Sequence, residues 1–164
     1  MAKAKSSRPL TETEYIALAE FRFQLRKFLR HMEEEARESQ INPQQYQLVL
    51  AIKGLPKTEV PSIRCMAERM QLNHNSMVEL VDRCEDRGLV RRVRSGSDRR
   101  QVMLSITSEG EIMLKKLGSA ARIELRSVGA QLVDSVWKII GEHRPTKAAM
   151  DNKGRMANSK KAGT

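Results

Sequence analysis

Apolar residues recur every three or four positions along the first third of the chain, and this spacing predicts two helices. Residues 12–38 form the first, because their apolar positions fall on one helical face. Those positions are Leu18, Phe21, Leu25, Phe28 and Met32. Asn42 followed by Pro43 is typical of a helix start, and the strongly apolar stretch that follows should stop at Gly54.

Two short amphipathic helices are predicted next. Ser62 can cap the first and Asn73 the second, which should end at Gly88. Both have apolar residues at i, i+3, i+4 and i+7. These residues are Ile63, Met66, Ala67 and Met70, then Met77, Leu80, Val81 and Cys84. Two such helices separated by about three residues form the helix-turn-helix pattern.

A hairpin is predicted directly after this pair of helices. Residues 89–94 and 101–106 have strand character, and in the second stretch Val102, Leu104 and Ile106 alternate with Gln101, Met103 and Ser105. Residues 95–98, with sequence SGSD, supply the turn. A hairpin in this position is a wing, so the sequence predicts a winged helix-turn-helix.

The remaining apolar series predicts helical structure up to about residue 141. Thr107 can cap its start. Because Gly118 and Gly129 allow breaks, we expect two helices here. The fold class is therefore mainly α with a small β wing, and the winged helix-turn-helix is flanked by N- and C-terminal helices.

The charge of the chain favours an acidic partner. The formal net charge is +10 and the pI is about 10.0, which suits nucleic acid first and an anionic membrane surface second. Residues 1–10, a basic arm, carry +3, and residues 142–164 carry +4. We expect the latter to be a mobile basic tail, since they have too few apolar residues to offset ordering entropy. Residues 87–100 concentrate six arginines against one aspartate.

Several classes of protein are disfavoured. No apolar run approaches the ~18 residues of a membrane helix, and the basic start is not followed by a secretory core, so we expect a cytoplasmic protein. Cys65 and Cys84 are 19 positions apart and match no metal-ligand spacing. We expect no metal, no cofactor and no enzyme activity, with Cys84 in the core and Cys65 partly exposed.

Four motifs, in order and at family spacing, carry a resemblance: MAERM at 66–70, VDRCEDRGLV at 81–90, DRR at 98–100 and LSITSEG at 104–110. With them, residues 62–117 resemble the multiple-antibiotic-resistance regulator (MarR) family of winged-helix transcription factors. The resemblance implies a MarR-type domain over residues 11–141, with a winged core at about 42–110. It also implies a homodimer formed by dimerisation helices at 12–38 and 108–141.

The second helix of a helix-turn-helix points its N-terminal part into the major groove. His74, Asn75 and Ser76 are therefore candidates for contacts with base edges and nearby phosphates, and Arg83 for a guanine edge or a phosphate. The alternative is structural: Ser76 helps cap the helix, and Glu79 pairs with Arg83 at i, i+4.

The family resemblance assigns roles in the wing. It implies that Asp98 orients Arg100 for insertion into the minor groove, where a narrow groove concentrates negative potential. Arg92 also matches a basic position of the family. Arg94 and Arg99 are candidate phosphate contacts; a solvated charged surface is the alternative for the whole segment.

These expectations combine into a sequence-specific, dimeric DNA-binding transcription regulator that recognises a pseudo-palindromic operator in double-stranded DNA. The resemblance further implies a repressor released by a small aromatic effector. A first rival is a sequence-independent, nucleoid-type architectural protein, which the basic arm and tail would suit. A second rival is a winged-helix module that binds protein instead of DNA.

Overall fold

The computed structural model describes residues 8–94 and 102–140. Within these ranges the chain forms five helices and one antiparallel pair of strands. The elements are α1 (Glu12–Glu38), α2 (Pro43–Lys53), α3 (Ile63–Met70), α4 (His74–Asp86), β1 (Val90–Arg94), β2 (Val102–Ile106) and α5 (Ser108–Ile140). The predicted order and fold class are confirmed: the protein is mainly α with a small β hairpin directly after a helix-turn-helix.

The chain divides into two compact units. The larger, Phe28–Arg126, contains the helix-turn-helix and hairpin and encloses an aliphatic, methionine-rich core. Its largest fully buried side chains are Leu48, Met66, Met77, Leu80, Leu89 and Leu117. Cys84 is completely buried among them, as its position on the apolar face of α4 predicts.

Side-chain caps fix where the short helices begin. Asn42 accepts from the Gln44 amide at 2.9 Å, Ser62 from the Cys65 amide at 3.2 Å, and Asn73 from the Ser76 amide at 2.8 Å. Each cap satisfies an amide that would otherwise lack a partner at a helix start. These local interactions explain why the predicted starts of α2, α3 and α4 are confirmed.

The turn between α3 and α4 is tight. It reverses through Gln71, which adopts a left-handed conformation with φ 54°. The Leu72 amide then donates to the carbonyl of Ala67 at 2.9 Å. These two features close the end of α3 before Asn73 begins the next helix.

The hairpin is stabilised by pairing between its own strands and by a hydrogen bond to the segment before α3. β1 and β2 pair in register from Val90 opposite Ile106 to Arg94 opposite Val102. The Leu104 amide donates to the carbonyl of Pro61 at 2.8 Å, which joins β2 to the segment before α3. Leu104 is buried in the core, so the hairpin is anchored by packing as well as by hydrogen bonds.

Glycine is required where α4 leads into the hairpin and where α5 begins. Gly88 adopts φ +66°, and its carbonyl accepts from the Thr107 hydroxyl. The Thr107 amide donates to the Leu89 carbonyl at 3.1 Å, and its hydroxyl accepts from the Gly110 amide at 3.1 Å. A Cβ atom on Gly110 would lie 2.3 Å from the Leu89 carbonyl oxygen.

The smaller unit contains, among the described residues, the beginning of α1 and the end of α5. Ala17 and Val128 are buried in it, as is the Ser135 hydroxyl, which donates to the carbonyl of Gln131. Glu14 is also buried, and its carboxylate binds the guanidinium of Arg8 and the amide of Thr11.

The prediction of two helices after Thr107 is wrong. α5 runs without a break from Ser108 to Ile140, through both Gly118 and Gly129. A glycine inside a helix costs only about 1 kcal/mol relative to alanine. Without a proline or a capping residue at either position, this cost is too small to end the helix.

Candidate nucleic-acid interface

The beginning of α4 presents polar side chains to solvent. His74 and Asn75 are exposed, and Ser76 is half-buried. Asn73 provides the cap, so the side chain of Ser76 is not needed for this role. The structure therefore brings the three candidate base-contacting residues together on the first turn of the second helix of the helix-turn-helix.

Arg83 lies farther along the same helix and remains half-exposed. Its Nη1 atom is 4.0 Å from Oε2 of Glu79, the longest ion pair among the described residues. Exposed pairs of this kind contribute little, with a median of about 0–1 kcal/mol. The i, i+4 pair considered in the sequence is thus present but weak, and it leaves the guanidinium able to reach another acceptor.

Arg92 occupies a different environment from the other arginines of β1. Its guanidinium binds two carboxylates of α4, Asp82 at 2.6 Å and Glu85. Its side chain is only 28% exposed, whereas Arg91 and Arg94 on the same strand are exposed. No feature of the sequence alone indicated this pairing, because the partners are separated by ten and seven positions.

The other wing candidates divide between the described and undescribed parts of the chain. Arg94 ends β1 and is exposed, which is compatible with a phosphate contact. Asp98, Arg99 and Arg100 lie outside the described residues, as do the basic arm up to residue 7 and the segment 141–164. Their assigned roles stay predictions.

Two contacts hold the C-terminal half of α4 against the rest of the larger unit. The buried Gln45 donates from Nε2 to the Arg83 carbonyl at 2.9 Å. Arg87 donates to the Gln40 carbonyl at 2.7 Å. Sequence reasoning did not find these residues, since each contact joins positions about 40 apart. The first contact ties α4 to α2, and the second ties the residue after α4 to the segment between α1 and α2.

A cavity of about 690 Å³ lies within the larger unit. Its wall is mostly apolar and includes Phe28, Met32, Tyr46 and Leu125. Charged side chains also line it: Glu33, Arg122 and Arg126. Cavities of this size, apolar with a few polar groups, are typical of small-molecule sites.

The two cysteines differ in accessibility. Burial raises the pKa of the Cys84 thiol to about 12. Cys65 is half-buried, and its Sγ atom is 3.5 Å from Oε2 of Glu59. Burial, followed by the nearby carboxylate, raises the pKa of the Cys65 thiol as well. Neither environment stabilises a reactive thiolate.

The described ranges can be compared with the requirements of a metal site and of a membrane-spanning helix. Across residues 8–94 and 102–140, no group of three or more His, Cys, Asp and Glu side chains is arranged to hold a metal ion. No helix in this part of the chain combines the length and apolar character needed to cross a membrane.

Three features define a winged helix-turn-helix protein. The helices α3 and α4 are capped and joined by a tight turn, the first turn of α4 is exposed, and the arginine-bearing hairpin is attached to α4. Comparison with known proteins agrees. A family model described as "MarR family" matches residues 39–101. The organic hydroperoxide resistance transcriptional regulator of Bacillus subtilis is 31% identical over 71 residues, or 43% of this chain and 48% of that protein.

Two further proteins are similar. The HTH-type transcriptional repressor MdtR of Bacillus subtilis is 31% identical over 84 residues, or 51% of this chain and 52% of that protein. The chain thus spans about half the length of the curated relatives it matches. The S. aureus MepR–DNA complex shares the fold, with a TM-score of 0.58, 15% identity and coverage of 94% and 97%. The similarity to the MarR family thus covers residues 39–101, the part of the chain that contains the helix-turn-helix.

Proposed function

We propose that this chain is a cytoplasmic, sequence-specific, dimeric DNA-binding transcription regulator that acts as a repressor. The observation that carries the proposal is the exposed first turn of α4, on the same helix to which β1 and its exposed arginines are attached through Asp82 and Glu85. In a helix-turn-helix, this turn enters the major groove while neighbouring basic residues contact the backbone. Both curated relatives are named as transcriptional regulators, and one of them is named as a repressor.

Within this proposal, side chains divide into two groups by the contact they make. His74, Asn75 and Ser76 face base edges or nearby phosphates, with Asn75 able to bond adenine bidentately. Arg83 reaches a guanine edge or a phosphate. The wing supplies Arg94, Arg99 and Arg100, with Arg100 in the minor groove and Asp98 orienting it, while Arg92 lies at the base of the wing.

A second copy of the chain is the partner that the exposed apolar residues suggest. In the smaller unit, Ile16 on α1 is 63% exposed and Ile140 on α5 is 53% exposed. Large apolar side chains on the same two helices are also exposed, including Phe23, Val133 and Val136. A monomer would leave this apolar surface in water, so we assign α1 and α5 to dimerisation.

The cavity in the larger unit supports the proposal that a small-molecule effector binds the protein. Its aromatic and aliphatic wall suits a small aromatic compound, the class implied by the resemblance to the MarR family. An effector releases DNA only if it binds the non-DNA conformation more tightly than the DNA-bound one.

Selection from random DNA duplexes at physiological salt tests the proposal. We expect a pseudo-palindrome with half-sites about one helical turn apart. If binding depends steeply on salt and no sequence is enriched, the chain is instead an architectural DNA-binding protein. If no duplex is retained even at low salt, the proposed function is wrong.

A further inference from the structure

Arg92 connects the hairpin to α4 through three hydrogen bonds. Its Nη2 atom donates to Oδ1 of Asp82 at 2.6 Å, and its Nη1 atom donates to Oε2 of Glu85. Its main-chain amide donates to Oε1 of Glu85 at 2.8 Å. Glu85 therefore binds both the backbone and the side chain of one residue in β1.

This arrangement has a charge that is unfavourable for a phosphate contact. One guanidinium faces two carboxylates, so the group of Asp82, Glu85 and Arg92 carries a net negative charge. Two acids beside a DNA-binding surface should repel phosphates and slow association. Their presence is explained if the interaction with Arg92 does something other than bind DNA directly.

The planar guanidinium is suited to joining two carboxylates at once, which a lysine ammonium does not do with fixed geometry. Asp82 and Glu85 are three positions apart on α4, so one side chain from β1 can reach both. The main-chain hydrogen bond then fixes the height of β1 along the helix as well as its distance.

We propose that Arg92 is a positioning residue, which holds β1 against α4 through Asp82 and Glu85 so that both elements meet DNA in one fixed geometry. The inference rests on the proposed DNA-binding function. Arg91 and Arg94, which are exposed on the same strand, attract DNA phosphates. Arg92 fixes the position of these two arginines relative to α4. Fixing the two elements before binding reduces the entropy lost when the complex forms.

Neutralising Asp82 or Glu85 tests the proposal, because a positioning role and a phosphate contact of Arg92 predict opposite changes in DNA affinity. We expect Glu85→Gln and Asp82→Asn each to weaken binding to the selected duplex by about three- to tenfold, because a neutral amide holds the Arg92 guanidinium less strongly than a carboxylate does. If Arg92 instead contacts phosphate, removing the acids should strengthen binding. Asp86→Asn is the matched control: it removes the same charge from an exposed position of α4, and binding should be unchanged or slightly tighter.

Variants of Arg92 itself separate the two roles further. A phosphate-contacting arginine contributes a slope of about −0.9 to the dependence of log K on log salt. We expect Arg92→Ala and Arg92→Lys to weaken binding while the salt slope stays that of the original protein. A slope reduced by about one unit in Arg92→Ala, with affinity kept in Arg92→Lys, would overturn the proposal.

Amide hydrogen exchange of the free protein tests the attachment of β1 to α4 independently of whether the protein binds DNA. In the free protein, the Arg92 amide should be protected, and Glu85→Ala, which removes the accepting oxygen, should remove this protection while core amides of α4 stay protected. An unprotected Arg92 amide in the original protein refutes the attachment regardless of DNA. Protection without any DNA binding refutes the proposed function and leaves the attachment as a structural feature.

Discussion

Gln45 in α2 donates from Nε2 to the main-chain carbonyl of Arg83 in α4 at a distance of 2.9 Å. The same side chain accepts from the Asn42 amide through Oε1 at 3.2 Å, which completes the cap of α2. Gln45 is only 6% exposed. One buried side-chain amide thus caps the start of α2 and anchors the last turns of α4.

Replacement of Gln45 by leucine should lower the free energy of unfolding by about 1–3 kcal/mol, because the Asn42 amide and the Arg83 carbonyl lose their partner. Denaturant unfolding measures the change. Gln44→Leu, at the adjacent exposed position, serves as control and should shift the free energy by less than about 0.5 kcal/mol. Equal effects at the two positions would contradict the role of Gln45.

Two glycines of α5 should respond to alanine with opposite signs. A Cβ atom on Gly110 would lie 2.3 Å from the Leu89 carbonyl oxygen and 2.7 Å from Cγ2 of Ile106. Gly110→Ala should therefore destabilise the protein by about 1–3 kcal/mol. Gly118 has open space around its Cβ position, so Gly118→Ala should stabilise by up to about 1 kcal/mol. Thermal unfolding of both variants tests this difference in sign.

The carboxylate of Glu14 should make the stability of the protein depend on pH. Hydrogen bonds from the Arg8 guanidinium, then from the amide and hydroxyl of Thr11, lower the pKa of Glu14 to about 2 from an ordinary value of 4.5. Because the folded-state pKa is lowered, the stabilisation is fully present above pH 4.5 and is lost as the pH falls towards 2.

Unfolding measured at several pH values checks this expectation. The difference in free energy of unfolding between the original protein and Glu14→Gln should shrink as the pH falls from 5 to 2. Glu12→Gln removes a charge from the same exposed turn and should give a smaller difference at pH 5. A Glu14→Gln difference that is constant over this range would show that the carboxylate is not the titrating group.

Base contacts and phosphate contacts should differ in what they change. Asn75→Ala should reduce the preference for the cognate base by about 1–3 kcal/mol, because one base loses a bidentate partner. Arg94→Ala should weaken cognate and unrelated duplexes alike and reduce the salt slope by about one unit. Titrations of cognate and shuffled duplexes at several salt concentrations distinguish the two effects.

The sequence-based assignment of the wing predicts a graded pair of variants. Arg100→Ala should weaken DNA binding severely, since the residue assigned to the minor groove is removed. Asp98→Ala should weaken it clearly but less, because the arginine remains without the acid that orients it. Gel-shift midpoints unchanged in both variants would refute the wing assignment.

Local signals explain which parts of the fold could be predicted. The starts of α2, α3 and α4 depend on Asn42, Ser62 and Asn73, which act within three residues of themselves. Apolar spacing identified the buried side of α4, including Cys84. The predicted break between two C-terminal helices is wrong, because Gly118 and Gly129 by themselves do not end a helix.

The contacts that orient the candidate site could not be predicted from one sequence. Gln45 meets Arg83, and Arg92 meets Asp82, only after the chain has folded back on itself. Apolar periodicity gives the buried side of each helix but not which polar groups meet across elements. The sequence thus identified the residues on the exposed turn of α4, while the attachment of the hairpin to that helix became visible only in the structure.

The hydrogen bonds between Thr107 and residues 88–89 close the hairpin at its base. The chain between them is the hairpin, whose strands are paired from Val90 opposite Ile106 to Arg94 opposite Val102. The entropy of closing a loop grows slowly, by about 0.6 kcal/mol for each doubling of length. Residues added between Arg94 and Val102 should therefore cost the folded domain little free energy, so the stability of the helices does not limit how far the wing extends.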